Sequence, residues 1–327
     1  MKNYRSISPQ LLEELKNGKL KFMVEWAKKY SERLSLCFRG AGEPERVILY
    51  DRSNVFLRGY ISGNIPVIEV SGGHIKPDKN KGDNTVEKVN DFLSVFGFNS
   101  TNGGKIFTKK ITDELDVGYL TSLYHYLEDM MDYYFRYYAD KNRPFTEKRR
   151  QQEIFAAHKK NTDGYFIFDM EYTPPHKSKK EKDNDENDNR TDMLALKFCD
   201  SMPLTLSFIE LKSTGNACEG KNGIKAHLTK MCGAIDSNPD FVRERTEDAY
   251  KIIAQYSELG LYDLPEAMKS ARKDIPMEVI IYLTDGAVDY WKKKRHTIST
   301  PNGWCCTDRE KDDGEIIVTY TRMDDKS

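Results

Sequence analysis

The stretch 204–213, LTLSFIELKS, decides how the second half of this chain is read. Its β-branched and aromatic residues favour a strand. At the strand period of two, Leu204, Leu206, Phe208, Glu210 and Lys212 share one face, so an apolar face ends in two opposite charges. The tripeptide Glu-Leu-Lys also occurs at 14–16, within SPQLLEELKNG, which reads as a helix. There, residues i and i+2 point about 200° apart, so Glu14 and Lys16 cannot converge on one atom. Glu210 and Lys212 can. An acid and a lysine side by side are by themselves an ordinary surface ion pair, contributing up to about 1 kcal/mol. The preceding run, RTDMLAL at 190–196, changes the balance. It is the natural hairpin partner and carries Asp192 at its start. Two carboxylates from adjacent strands make an oxygen-rich position suited to Mg²⁺ or Mn²⁺, which accept few protein ligands and keep several waters. A lysine beside such a cation can orient the attacking water and counter charge building on a phosphate.

Working outward, TEKRRQQEIFAAHKK (146–160) reads as a helix capped by Thr146 and carrying Glu153, and GYFIFDMEY (164–172) as a strand. Asp169 and Glu171 share one face of that strand, either extending the acidic cluster or forming a polar outer face. The run TPPHKSKKEKDNDENDN (173–189) has no apolar content and reads as a solvated loop. Helices are expected in NGIKAHLTKMCGAI (222–235) and in the segment opened by Asn238-Pro239, which carries Gln255, and strands in MEVIIYLTDG (277–286) and EIIVTYTRM (315–323). His227, a lone histidine on a helix, reads first as structural, with a contact to substrate as the alternative. The run Trp291 to His296, with Lys292, Lys293, Lys294 and Arg295, is solvated surface by default and a phosphate-backbone track as the alternative.

In order, a helix with Glu153, a strand, a strand with Asp192, a strand with Glu210 and Lys212, and a helix with Gln255 resemble the core of the PD-(D/E)XK nuclease superfamily, over roughly residues 146–285. The resemblance implies an α/β restriction-endonuclease-like fold, a central mixed β-sheet flanked by helices. It implies that Asp192 and Glu210 ligate Mg²⁺ or Mn²⁺ with the backbone carbonyl of Leu211, and that Lys212 positions or activates the water. Glu153 matches the optional helix acid of the family, which would bind a second metal or its water shell, and Gln255 the polar residue near the phosphate. Thr191 stands where the family motif has proline. The implied activity is metal-dependent hydrolysis of phosphodiesters, in DNA first, in defence or repair. A non-catalytic nucleic-acid-binding or assembly module retaining the fold is the alternative.

The first half reads as a small α+β domain. Ser8 as N-cap, Pro9 at the first helical position and Gly18 beyond the end punctuate one helix, KFMVEWAKKYSERL a second, and four short runs between 34 and 73 an antiparallel sheet. From Tyr119 to Ala139 the apolar residues recur at helical spacing. Core packing is the first reading of that aromatic stripe; a base-stacking platform or homodimer seam is the alternative. The expected division is therefore 1–118 as an α+β domain, 119–143 as a helical connector and 144–327 as the nuclease-like domain. Residues 1–64 hold 12 basic against 7 acidic residues, with Arg39, Arg46, Arg52 and Arg58 as candidates for docking a phosphate backbone. Across all 327 residues the net charge is -1, so any nucleic-acid surface must be local. No apolar run approaches the roughly 18–20 residues that span a bilayer, and the opening MKNYRSISPQ has no signal-peptide core, so a cytoplasmic protein without a membrane partner is expected. Six cysteines without C-x-x-C spacing indicate neither a disulfide framework nor structural zinc.

Overall fold

Local signals account for the first elements of the computed structural model. It describes residues 5–40, 45–52, 54–71, 92, 94–102, 106–139, 150, 151, 153–155, 165–172, 191–197, 205–220, 223–237, 239–262 and 275–323. Helix α1 (Pro9–Lys16) begins as its punctuation requires: Ser8 is extended, and its hydroxyl accepts the Leu11 N–H at 3.3 Å. Ser8 also donates its amide and hydroxyl to Glu45. Helix α2 (Lys21–Lys29) buries Phe22, Met23, Val24, Trp26 and Ala27.

The described residues form two compact units, Met1–Gln152 with Gln255–Leu261, and Glu153–Ala254 with Tyr262–Ser327. The first contains an antiparallel sheet in the order β1-β2-β3-β4-β6-β5. Its strands are β1 (Leu34–Arg39), β2 (Arg46–Asp51), β3 (Asn54–Ser62), β4 (Ile65–Ser71), β5 (Asn99–Thr101) and β6 (Ile106–Lys110). Between β3 and β4, Gly63 and Asn64 both have positive φ, as a two-residue hairpin turn matched to strand twist demands. A Cβ on Gly59 of β3 would lie 2.6 Å from the Met23 sulfur, so glycine is what admits α2 so close. Helix α3 (Val117–Ala139) buries Leu123, Tyr124, Leu127 and Met131. Tyr124 stacks on Tyr30 at 3.8 Å and meets Trp26 edge-on at 5.3 Å. The helix expected to connect two domains is thus packed into the first, and this face of its aromatic stripe is core. At its C-terminal half, Arg33 and Arg52 bridge the fully buried Asp51 to Asp132, with Glu128 also on Arg33. Strands β5 and β6 were not expected from the sequence. Between 86 and 96 only Phe92 and residues 94–96 are described, and they are helical.

The second unit is a mixed sheet in the order β11-β12-β10-β9-β8-β7. Its strands are β7 (Tyr165–Tyr172), β8 (Thr191–Lys197), β9 (Thr205–Lys212), β10 (Met277–Leu283), β11 (Trp304–Glu310) and β12 (Ile316–Arg322). Strands β9 and β10 are parallel and every other neighbouring pair is antiparallel. The α/β class, the mixed sheet and the β8–β9 antiparallel pair match the expectation; β11 and the helix Gly286–Lys294 are additions. Helices α4 (Ile224–Ser237), α5 (Pro239–Glu258) and α6 (Gly286–Lys294) complete the described elements, with α4 and α6 packing on β10. Strand β10 is buried throughout and β9 from Leu206 on, so residues of both faces are covered, as befits central strands. The compact units divide at 152 rather than 143, and the last turn of α5 counts with the first unit. Leu204, the loop 173–189 and most of the helix expected at 146–160 lie outside the described residues. Among the described residues no helix is long and apolar enough to cross a membrane.

Candidate active site

The end of the β8–β9 ladder is closed by side chains. Met193 is in register with Ile209, so the next step places Asp192 across from Glu210. The Asp192 Oδ2 accepts the backbone N–H of Leu211 at 2.8 Å, and the Thr191 hydroxyl donates to the Ile209 carbonyl at 2.7 Å. Thr191 thus ties β8 to β9 through its side chain as well as through the ladder. Cross-strand neighbours point to the same face, so Asp192, Glu210 and Lys212 share it, with Ile281 and Leu283 of β10 beside the last two.

Burial makes this pair unlike a surface one. Glu210 is 7% and Lys212 4% exposed, and Lys212 Nζ lies 2.6 Å from Glu210 Oε1. Two charges removed from water at this depth hold each other in place, because either one left alone there is costly. His227 on α4 brings its Nε2 to 3.2 Å from the same oxygen.

A β-bulge shapes the acidic end of the face. Strand β7 pairs Ile167 with Ala195 and then Asp169 with Leu194, so Phe168 is an extra residue. In an unbroken ladder Phe168 would face Leu194 and Asp169 would fall on the opposite side. The bulge instead sets Asp169, which is buried, on the face of Asp192 and Glu210, and brings the backbone of Glu171 into register with Asp192.

The remaining candidates separate. Glu153 lies exposed in a helical segment of the second unit. Gln255 does not join the cluster: it belongs to the first unit, where its Oε1 accepts the Ile7 N–H at 3.1 Å and its Nε2 donates to the Ile7 carbonyl at 2.6 Å. An amide that brackets the N–H and C=O of one residue in this way is a structural clasp. In the basic run, Lys292 pairs with Glu310 at 2.7 Å and Arg295 with Asp308 at 2.9 Å, while Lys293 and Lys294 are exposed. Trp291 is buried and donates to Asp308, so it offers no face for stacking bases. That hydrogen bond, then Arg295, holds the Asp308 carboxyl below its ordinary range against the opposing effect of burial. The arginines of the first sheet are likewise occupied: Arg52 with Asp51 and Asp132, Arg58 with Glu69, and Arg39 and Arg46 over Tyr50 and Tyr60.

Burial pushes the Cys232 thiol up to about 12 and that of Cys306 upward, so neither is poised as a nucleophile. Among the described residues no three His, Cys, Asp or Glu side chains converge as a ready-made metal cage. Asp192 and Glu210 offer carboxylate oxygens on one face, the donor type that hard cations such as Mg²⁺ take while keeping several waters. His227, read first as structural, lies beside Glu210, and the bulge at Phe168 had no signal in the sequence. Comparison with family models, curated proteins and solved structures finds no match to this chain.

Proposed function

We propose that this protein is a metal-dependent nuclease that hydrolyses phosphodiester bonds, in DNA first, with Mg²⁺ or Mn²⁺. The observation that carries the reading is the buried Glu210–Lys212 pair beside Asp192, on one face at the joined ends of β8 and β9. Asp192 and Glu210 would hold the cation, with the Leu211 carbonyl as a further oxygen. When bound, the cation supplies Lewis-acid stabilisation of the phosphate and a lowered pKa for the attacking water. Lys212 orients that water and places its ammonium where negative charge grows on the phosphoryl oxygens. The apolar neighbours Ile281, Leu283 and Phe208 keep bulk water from this end of the sheet, which strengthens each of these interactions. The PD-(D/E)XK resemblance of the same residues supports the assignment.

The test is a panel of labelled single- and double-stranded DNA and RNA with Mg²⁺ or Mn²⁺, comparing wild type with Lys212→Ala, Glu210→Ala and Glu210→Gln, each shown by circular dichroism to be folded. DNA cutting that needs the metal and falls by about 100-fold or more in each variant is expected. Cutting that survives Lys212→Ala unchanged sinks the assignment.

A further inference from the structure

The Glu210 carboxylate is held from two directions. Lys212 reaches Oε1 along its own strand, a contact that the strand period supplies wherever β9 forms. His227 reaches the same oxygen from α4, with its side chain 17% exposed. A ring nitrogen facing a carboxylate oxygen carries the hydrogen, so Nε2 donates. What seats His227 is a tight turn. The Gly223 N–H donates to the Gly220 carbonyl at 3.1 Å, and the His227 N–H to the Gly223 carbonyl at 3.1 Å. A Cβ on Gly223 would lie 2.4 Å from the Cys218 carbonyl oxygen, so the turn that opens α4 closes only around glycine.

We propose that His227 is a positioning residue of this site. It fixes the Glu210 carboxylate from the α4 side, so Lys212 can turn from Glu210 to the phosphate without letting the metal-binding oxygens swing. The proposal rests on the nuclease reading above. That reading asks Lys212 to serve water and phosphate, and a hold on Glu210 from α4 keeps the carboxylate placed when the lysine turns away.

The experiment measures Mn²⁺ affinity, by the electron paramagnetic resonance signal of free Mn²⁺, together with DNA cutting and thermal midpoint, for wild type, Glu210→Ala, His227→Ala and His227→Gln. Loss of His227 is expected to weaken Mn²⁺ binding and slow cutting by about 10- to 100-fold, the usual range for a partner that orients a ligand. His227→Gln, which keeps a donor at similar reach, recovers most of both. A purely structural role would instead lower the thermal midpoint of both variants alike, leave Mn²⁺ affinity unmoved or give no recovery with glutamine, and any of these overturns the proposal. Wild-type Mn²⁺ binding and cutting in His227→Ala, with binding lost in Glu210→Ala, overturns this proposal alone. Wild-type Mn²⁺ binding in Glu210→Ala removes the metal reading and this proposal with it.

Discussion

Glu14-Leu15-Lys16 and Glu210-Leu211-Lys212 are the same three residues, and in both the leucine is fully buried. Their charges have opposite fates. In α1 they diverge: Glu14 accepts the Lys19 N–H at 3.0 Å, and Lys16 finds Glu258 at 2.8 Å with both side chains over 40% exposed. In β9 they converge at 2.6 Å with side chains 6% and 9% exposed. The difference teaches that backbone period decides whether neighbouring charges meet, and that solvent decides what the meeting is worth. Water screens the first pair. The second is held where a lone charge would be costly.

The sharpest way to break that comparison is to remove one charge from each copy. Lys212→Met leaves Glu210 buried without its ammonium and is expected to cost about 3–5 kcal/mol in urea unfolding, whereas the double variant Glu210→Leu/Lys212→Met recovers most of the loss. A single variant no worse than the double would show that burial does not bind the pair. Asp51, buried between Arg33 and Arg52, asks whether depth alone suffices without the strand motif. Asp51→Asn is expected to cost about 2 kcal/mol, because Asp132 and Glu128 still serve the arginines. Ser8→Ala removes the α1 cap near the helical copy and is expected to cost about 1 kcal/mol, measured the same way.

A pH titration of stability separates the exposed end of the arginine network. Burial alone would raise the Asp132 carboxyl, but the hydrogen bonds and charges of Arg52 and Arg33 outweigh it and hold it below its ordinary 3.8. A depressed folded pKa contributes stability that is present above 3.8 and lost as pH falls through the folded value, so wild type should lose more stability below pH 3.8 than Asp132→Asn. Lys16→Met closes the series, with an unfolding midpoint indistinguishable from wild type at any salt concentration.

Legibility followed range. Ser8 and Pro9 announce α1 because a cap acts within three residues, and β1 to β4 show in alternating apolar runs. The meeting of Glu210 and Lys212 was readable because strand period alone sets it. Strand β11 was not: its WCCTDRE has no apolar alternation and is held at the edge by pairing to β12. Gln255 was misassigned because its partner, Ile7, lies 248 residues away. The contact of His227 with Glu210 comes from the packing of α4, which no spacing in the chain encodes.

The bulge at Phe168 makes the site a matter of counting. Pairing before and after it is regular, so losing one codon there would leave a ladder that still zips, with the same residues and nearly the same hydrogen bonds. Every residue from Asp169 onward would keep its side, because Phe168 is the residue with no opposite number on β8. A shortened relative would therefore keep both the fold and the acidic neighbourhood, and an alignment that slides the gap past Phe168 would match the wrong carboxylates.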